Sequence, residues 1–152
     1  MTVFKKENTQ NNKKLQEVFN IVPDLKMYVT RNAKIDGRIG CGLGYNVKLQ
    51  VGNKTYNTVF NNSKAEGYDI PHPEGIINSI LLDASIISYA NNFKDFCLEL
   101  GYEEYTEDNY GNIVENKEAK RAFNACERTY EALNRLFTSE QLDELYTVFE
   151  DY

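Results

Sequence analysis

Tyr45-Asn-Val-Lys-Leu-Gln-Val-Gly-Asn-Lys-Thr-Tyr-Asn-Thr-Val-Phe60 is the stretch that decides the fold. Tyr45, Val47, Leu49 and Val51 alternate with Asn46, Lys48 and Gln50, the period of a half-buried strand. Gly52 and Asn53 then sit where a two-residue II′ turn takes glycine first. Closing a hairpin on that turn pairs Leu49 with Tyr56, Val47 with Thr58 and Tyr45 with Phe60. This register collects the largely apolar side chains on one face and leaves Lys48, Gln50, Thr55 and Asn57 on the other, so a second layer must cover the first face.

Outward from the hairpin the pattern continues. Lys26 to Asn32 reads as a further strand, with Met27 and Val29 on one side and Tyr28 and Thr30 on the other. Before it, Leu15, Val18, Phe19 and Val22 mark one face of a short amphipathic helix that begins near Asn11 and that Pro23 ends. Residues 1–10 read as a flexible polar arm. From Pro73 onward the period is helical. Ile76, Ile77, Ile80, Leu81, Ala84 and Ile87 form a stripe wide enough for a core helix over 74–89, expected to pack on the sheet. Asn92 is placed to cap a second helix that carries Phe93, Phe96, Cys97 and Leu100 inward and stops at Gly101. A third runs from Lys117 to Phe137 with Ala119, Ala122, Phe123, Cys126, Tyr130, Leu133 and Phe137 on one stripe. Thr138 and Gln141 stand in the relation of a capping box before a last helix, which carries Leu142, Leu145, Tyr146 and Phe149 inward. Strands come first and helices follow. The expectation is an α+β fold, a small antiparallel sheet from the N-terminal half packed against C-terminal helices. The chain reads as a single domain over 1–152, divided into the arm, a short helix plus sheet over 11–72, and a helical part over 73–152.

A chain of 152 residues with 41% hydrophobic and 26% charged residues and only 9 Gly and 3 Pro has the composition of a globular domain,. No apolar run approaches the roughly 18 residues of a membrane span, and Met1 to Lys14 is too polar for a secretory leader, so a cytoplasmic protein is expected. The net charge of −6 hides a polarity. Residues 1–67 carry 11 Lys and Arg against 5 Asp and Glu, and residues 68–152 carry 6 against 18. The first half can attract nucleic acid; the second should be repelled by phosphate and drawn to a basic protein surface.

No motif specifies a reaction. The cluster Gly37-Arg-Ile-Gly-Cys-Gly-Leu-Gly44 has neither phosphate-loop spacing and precedes a strand where both such motifs require a helix, so it reads as a sheet connection with Arg38 at its tip. The 3 cysteines, Cys41, Cys97 and Cys126, suit reduced thiols,. Only one imidazole exists to serve as their base, His72, between Pro71 and Pro73,. Cys97 and Cys126 lie on apolar stripes, as small buried hydrophobes do. The acidic segment from Tyr102 fails as a calcium loop. With Gly111 at the sixth position, Thr106 falls first and Lys117 twelfth, where carboxylates are required. No enzyme, metal or cofactor is expected. The same segment suits protein recognition, since Tyr buries area at low entropic cost and carboxylates meet Lys and Arg. The candidate partner-binding residues are Glu103, Glu104, Tyr105, Glu107, Asp108 and Tyr110. A rival reading places a nucleic-acid contact on Lys5, Lys6, Lys13, Lys14, Arg31 and Arg38.

Asn92-Phe-Lys-Asp-Phe-Cys-Leu-Glu-Leu-Gly-Tyr102, followed after an acidic spacer by Glu118-Ala-Lys-Arg-Ala-Phe-Asn-Ala-Cys-Glu127, resembles a family of small proteins carried by phages and mobile elements of Gram-positive bacteria. The spacer between Tyr102 and Glu118 is longer than the family pattern. The resemblance implies a counter-defence role in the cytoplasm of a bacterial host, as in anti-CRISPR proteins. On that reading the chain inhibits a defence nuclease, foremost a Cas nuclease with a basic surface, by direct protein contact and without catalysis.

Overall fold

A computed structural model describes residues 1–37, 42–62 and 72–152. The fold is α+β, with a four-stranded antiparallel sheet in the N-terminal half and helices dominating the C-terminal half. Strands β1 (Thr2–Phe4), β2 (Leu25–Arg31), β3 (Leu43–Val51) and β4 (Lys54–Asn62) lie in the order β1-β2-β3-β4. Helices are α1 (Lys13–Ile21), α2 (Pro73–Tyr89), α3 (Phe93–Leu100), α4 (Lys117–Leu136) and α5 (Ser139–Val148). A two-stranded sheet, β5 (Tyr105–Glu107) with β6 (Ile113–Glu115), joins α3 to α4. The contacts divide into two compact units, Met1–Asn78 with Asn134–Tyr152, and Ser79–Leu133.

In the first unit the central hairpin has the register its sequence demands: Leu49 faces Tyr56, Val47 faces Thr58 and Tyr45 faces Phe60. Gly52 has φ +62° while Asn53 keeps a negative φ, the sign pattern of a II′ turn,. On the other side β3 pairs with β2, which places Met27 opposite Leu49 and Val29 opposite Val47. Leu25, Met27 and Val29 are buried with Tyr45, Val47 and Leu49, one continuous apolar face across two strands,. Helix α1 buries Leu15, Val18 and Phe19, with Asn12 accepting from the Leu15 amide at its start,. It packs on α5, where Lys14 Nζ donates to the Val148 carbonyl at 2.8 Å and pairs with Asp151 at 3.0 Å. The Thr138–Gln141 capping box is formed at both bonds,.

The far end of β3 is closed by side chains. Arg31 forms a two-pronged ion pair with Asp36 at 2.6 and 2.8 Å and also donates to the Gly44 carbonyl at 3.0 Å. Asp36 in turn accepts from the Gly44 amide at 2.8 Å. These donors, Arg31 first, hold the Asp36 carboxyl below the usual carboxylate range,. A Cβ on Gly44 would overlap the Ile35 side chain and lie 2.6 Å from the Asn32 carbonyl oxygen. Gly44, the second residue of β3, thus serves close packing, while Arg38 and Cys41 fall outside the described residues.

The flexible arm expected over 1–10 is corrected: Thr2–Phe4 is an edge strand, Val3 opposite Tyr28. The short run Thr-Val-Phe has strand character, and Asn8 secures it by accepting from the Lys5 amide and donating to the Val3 carbonyl at 2.7 Å,.

The second unit is built on aromatic rings. Ile87, Ala90, Phe96, Phe123 and Cys126 are buried together, with Ile86, Phe93, Tyr102 and Ala122 packed against them. Phe96 meets Phe123 edge-on at 5.2 Å and stacks on Tyr102 at 6.2 Å,. Asn92 and Gly101 cap α3 as expected, but Leu100, expected inward, is exposed in the helix's last turn. On α4 the stripe departs from expectation at one place. Tyr130 is exposed and Thr129 takes the buried position, its hydroxyl donating to the Ala125 carbonyl at 3.1 Å,.

Three outcomes test this packing. Leu49→Asp buries an unpaired charge and should lose about 3 kcal/mol or more in chemical denaturation. Gly44→Ala should lose about 1–3 kcal/mol, because its Cβ has no room; mutants that melt like the parent would refute the core assignment. Asp83 on α2 gives a pH effect. The residue is exposed overall, yet the atoms crowding its carboxyl push its pKa up to about 6. The folded state therefore holds a proton that the unfolded chain has released, so stability should fall as pH rises from about 4 to about 6. Asp83→Asn should abolish that decline, read as melting temperature against pH.

Candidate interaction surface

The acidic segment that begins at Tyr102 is a hairpin tied at both ends. At its base Tyr102 stacks on Phe96 in the core. Asn116 donates from its side chain to the Glu103 carbonyl at 2.8 Å and from its backbone to the Glu104 carbonyl at 2.9 Å. The same side chain accepts from the Ala119 amide at 3.2 Å, so one residue clamps the hairpin and caps α4,. At the tip, Asp108 Oδ1 accepts from the backbone amides of Tyr110 and Asn112, each at 2.9 Å. Gly111 has φ +80°, the left-handed residue that closes a three-residue hairpin loop,. Backbone donation from Asn112, then Tyr110, holds the Asp108 carboxyl below the usual carboxylate range,.

The register places Tyr105 opposite Glu115 and Glu107 opposite Ile113. These four share one face, because side chains alternate along each strand. Tyr105 and Ile113 form one diagonal, 57% and 74% exposed, and Glu107 and Glu115 form the other. Tyr110 stands at the tip, 90% exposed. An apolar diagonal crossed by a carboxylate diagonal can bury rings against a partner while its acids meet Lys or Arg.

Of the residues read from sequence, Glu103, Tyr105, Glu107 and Tyr110 are exposed on the hairpin. Glu104 is half-buried, and Asp108 is occupied in building the turn, so its role is internal. Ile113 and Glu115 were not among the candidates. Their signal was Asp108-Asn-Tyr-Gly111 flanked by alternating residues, the mark of a hairpin.

Burial, then the charges of Glu104 and Glu115, push the Cys97 thiol up. Burial, then Asp83, takes Cys126 to about 11,. His72 Nδ1 lies 3.5 Å from Glu74, which also accepts from Asn12 at 2.6 Å. Of the basic set of the rival reading, Lys14 is paired with Asp151 and Arg31 with Asp36, and Arg38 lies outside the described residues. Among the described residues no group of three or more His, Cys, Asp or Glu could hold a metal ion, and no helix is long and apolar enough to cross a membrane.

Comparison with protein-family models, with curated proteins and with solved structures finds no match.

The turn chemistry predicts a pH effect opposite in sign to that of Asp83. Its depressed carboxyl stabilises the hairpin above the ordinary carboxylate range, and that contribution is lost as pH falls through the folded pKa. Asp108→Ala should deprotect the Tyr110 and Asn112 amides in hydrogen exchange while leaving the Phe96 amide protected. Unchanged exchange at both tip amides would remove Asp108 from the turn.

Proposed function

We propose that this chain is a non-enzymatic binding protein that docks the β5–β6 hairpin on a basic protein surface. The observation that carries this reading is the exposure of Tyr105, Tyr110 and Ile113 on a hairpin whose base and tip are hydrogen-bonded in place. Rings carried on a backbone already fixed lose only side-chain freedom on binding, and such rings dominate interface energetics when they fill pockets. Glu103, Glu107 and Glu115 supply the steering charge,. Proteins that handle nucleic acid present basic surfaces of this kind. Together with the resemblance of residues 92–102 and 118–127, the two blocks that flank the hairpin, to phage and mobile-element proteins, this makes a bacterial defence nuclease, foremost a Cas nuclease, the leading partner, met in the host cytoplasm and blocked by occupancy.

Purified Cas nucleases provide the test. Tyr110→Ala and Ile113→Ala should each weaken binding by about 1–2 kcal/mol, mainly through faster dissociation. Glu107→Lys with Glu115→Lys should slow association at low salt and flatten its salt dependence. Full inhibition by the folded variants would refute docking through this hairpin.

A further inference from the structure

The solvent face of the four-stranded sheet differs in charge from the hairpin. We propose that it binds single-stranded nucleic acid. The register sets Tyr28 beside Lys48, and Lys48 beside Asn57, with Thr30, Asn46 and Val59 in the adjacent row. These six residues line an open trough of about 480 Å³. The outward positions of β2, β3 and β4, from Lys26 to Thr30, Asn46 to Gln50 and Thr55 to Val59, carry two charges, Lys26 and Lys48, and no carboxylate. The chain as a whole is at −6, so this face is a local reversal of sign.

Three chemistries meet in the trough. Lys48 offers a cation to phosphate there, and Lys26, one outward position before Tyr28 on β2 and outside the trough's lining, offers a second. Asn46 accepts from Asn32 at 3.0 Å, which leaves its own amide hydrogens to donate to a base edge, and exposed Asn57 offers a second amide,. Tyr28 offers a ring. Lys48 Nζ lies 4.5 Å from the centroid of that ring. A surface cation–π contact is weaker than base stacking, so a strand that engages the ammonium through phosphate can take its place over the tyrosine. A ligand with flat faces, polar edges and a repeating anion satisfies all three. A duplex buries its base faces and would leave Tyr28 unused. An acidic peptide satisfies the cations alone.

Fluorescence anisotropy of the full chain with labelled oligouridylate and oligodeoxythymidylate of about 12 nucleotides tests this, with a duplex and a polyglutamate peptide as comparators. The single strands should bind at about 50 mM salt and weaken linearly in log salt. Tyr28→Ala should lose about tenfold and Tyr28→Phe should retain affinity, since the ring is the contact. Lys48→Gln should weaken binding and reduce the salt slope by roughly one phosphate contact. Melting curves establish that each variant is folded. Absence of single-strand binding by the parent would overturn the proposal, as would equal binding of polyglutamate or affinities in folded Tyr28→Ala and Lys48→Gln equal to the parent's.

Discussion

Register at β3 is the constraint on which the first unit depends. This strand pairs on both sides, so a slip of one residue would turn Tyr45, Val47 and Leu49 to water and break two ladders together,. Burial of three such side chains is worth about 1.5–3 kcal/mol each, far more than any single turn contact. Burial alone does not choose between registers two residues apart, however, because both keep the same face inward. The ends of the strand supply that choice. Gly52 fixes the turn by its positive φ, and Gly44 fits against Ile35 and Asn32 only because it lacks a Cβ. Arg31 and Asp36 then hold the Gly44 carbonyl and amide. Polar groups at the termini thus select the register that apolar burial stabilises.

The second unit solves a different problem, because two three-residue strands cannot persist on their own pairing,. Its hairpin is attached where hydrogen bonds and packing are local: Tyr102 on Phe96, Asn116 on two carbonyls and Asp108 on two amides. Each hydrogen bond contributes about 0.5–1.5 kcal/mol, enough together to offset ordering a few residues. Anchors that are internal leave the outward side chains with no structural duty. Tyr110 and Ile113 can therefore be exposed without cost to the fold, which is what the proposed docking of this hairpin requires.

Elements that signal themselves over a few residues were legible in the sequence. The β3–β4 register followed from alternation and one turn; Asn92, Gly101 and Thr138 marked helix ends because caps are local chemistry. What escaped depends on pairing. Thr2–Phe4 is too short to declare itself and becomes a strand through β2. Residues 105–115 offered the same Asp, Asn and Gly to two readings, a failed calcium loop and a turn, and only the second uses Asp108 to accept backbone amides. The candidate surface was accordingly legible as a segment, but its face was not. Period-two pairing is what puts Ile113 and Glu115 beside Tyr105 and leaves Asp108 inside the turn. Tyr130 shows the remaining source of error, a residue at the margin of a helical stripe, where Thr129 can satisfy its hydroxyl on the helix backbone and go inside instead.

Net charge is a poor guide to what either proposed surface would attract. At physiological ionic strength a charge is felt over about 8 Å, so an approaching group responds to the side chains near it and not to the total of −6,. Around Tyr28 those side chains are Lys48 and amides; around Tyr105 they are Glu107 and Glu115. The same ring type therefore has opposite electrostatic company at the two places. A tyrosine beside lysine favours an anion with a flat face, and a tyrosine among glutamates favours a cationic protein surface. The sequence polarity between residues 1–67 and 68–152 acquires its physical meaning at this scale, in which neighbours set by strand register decide the sign each ring presents.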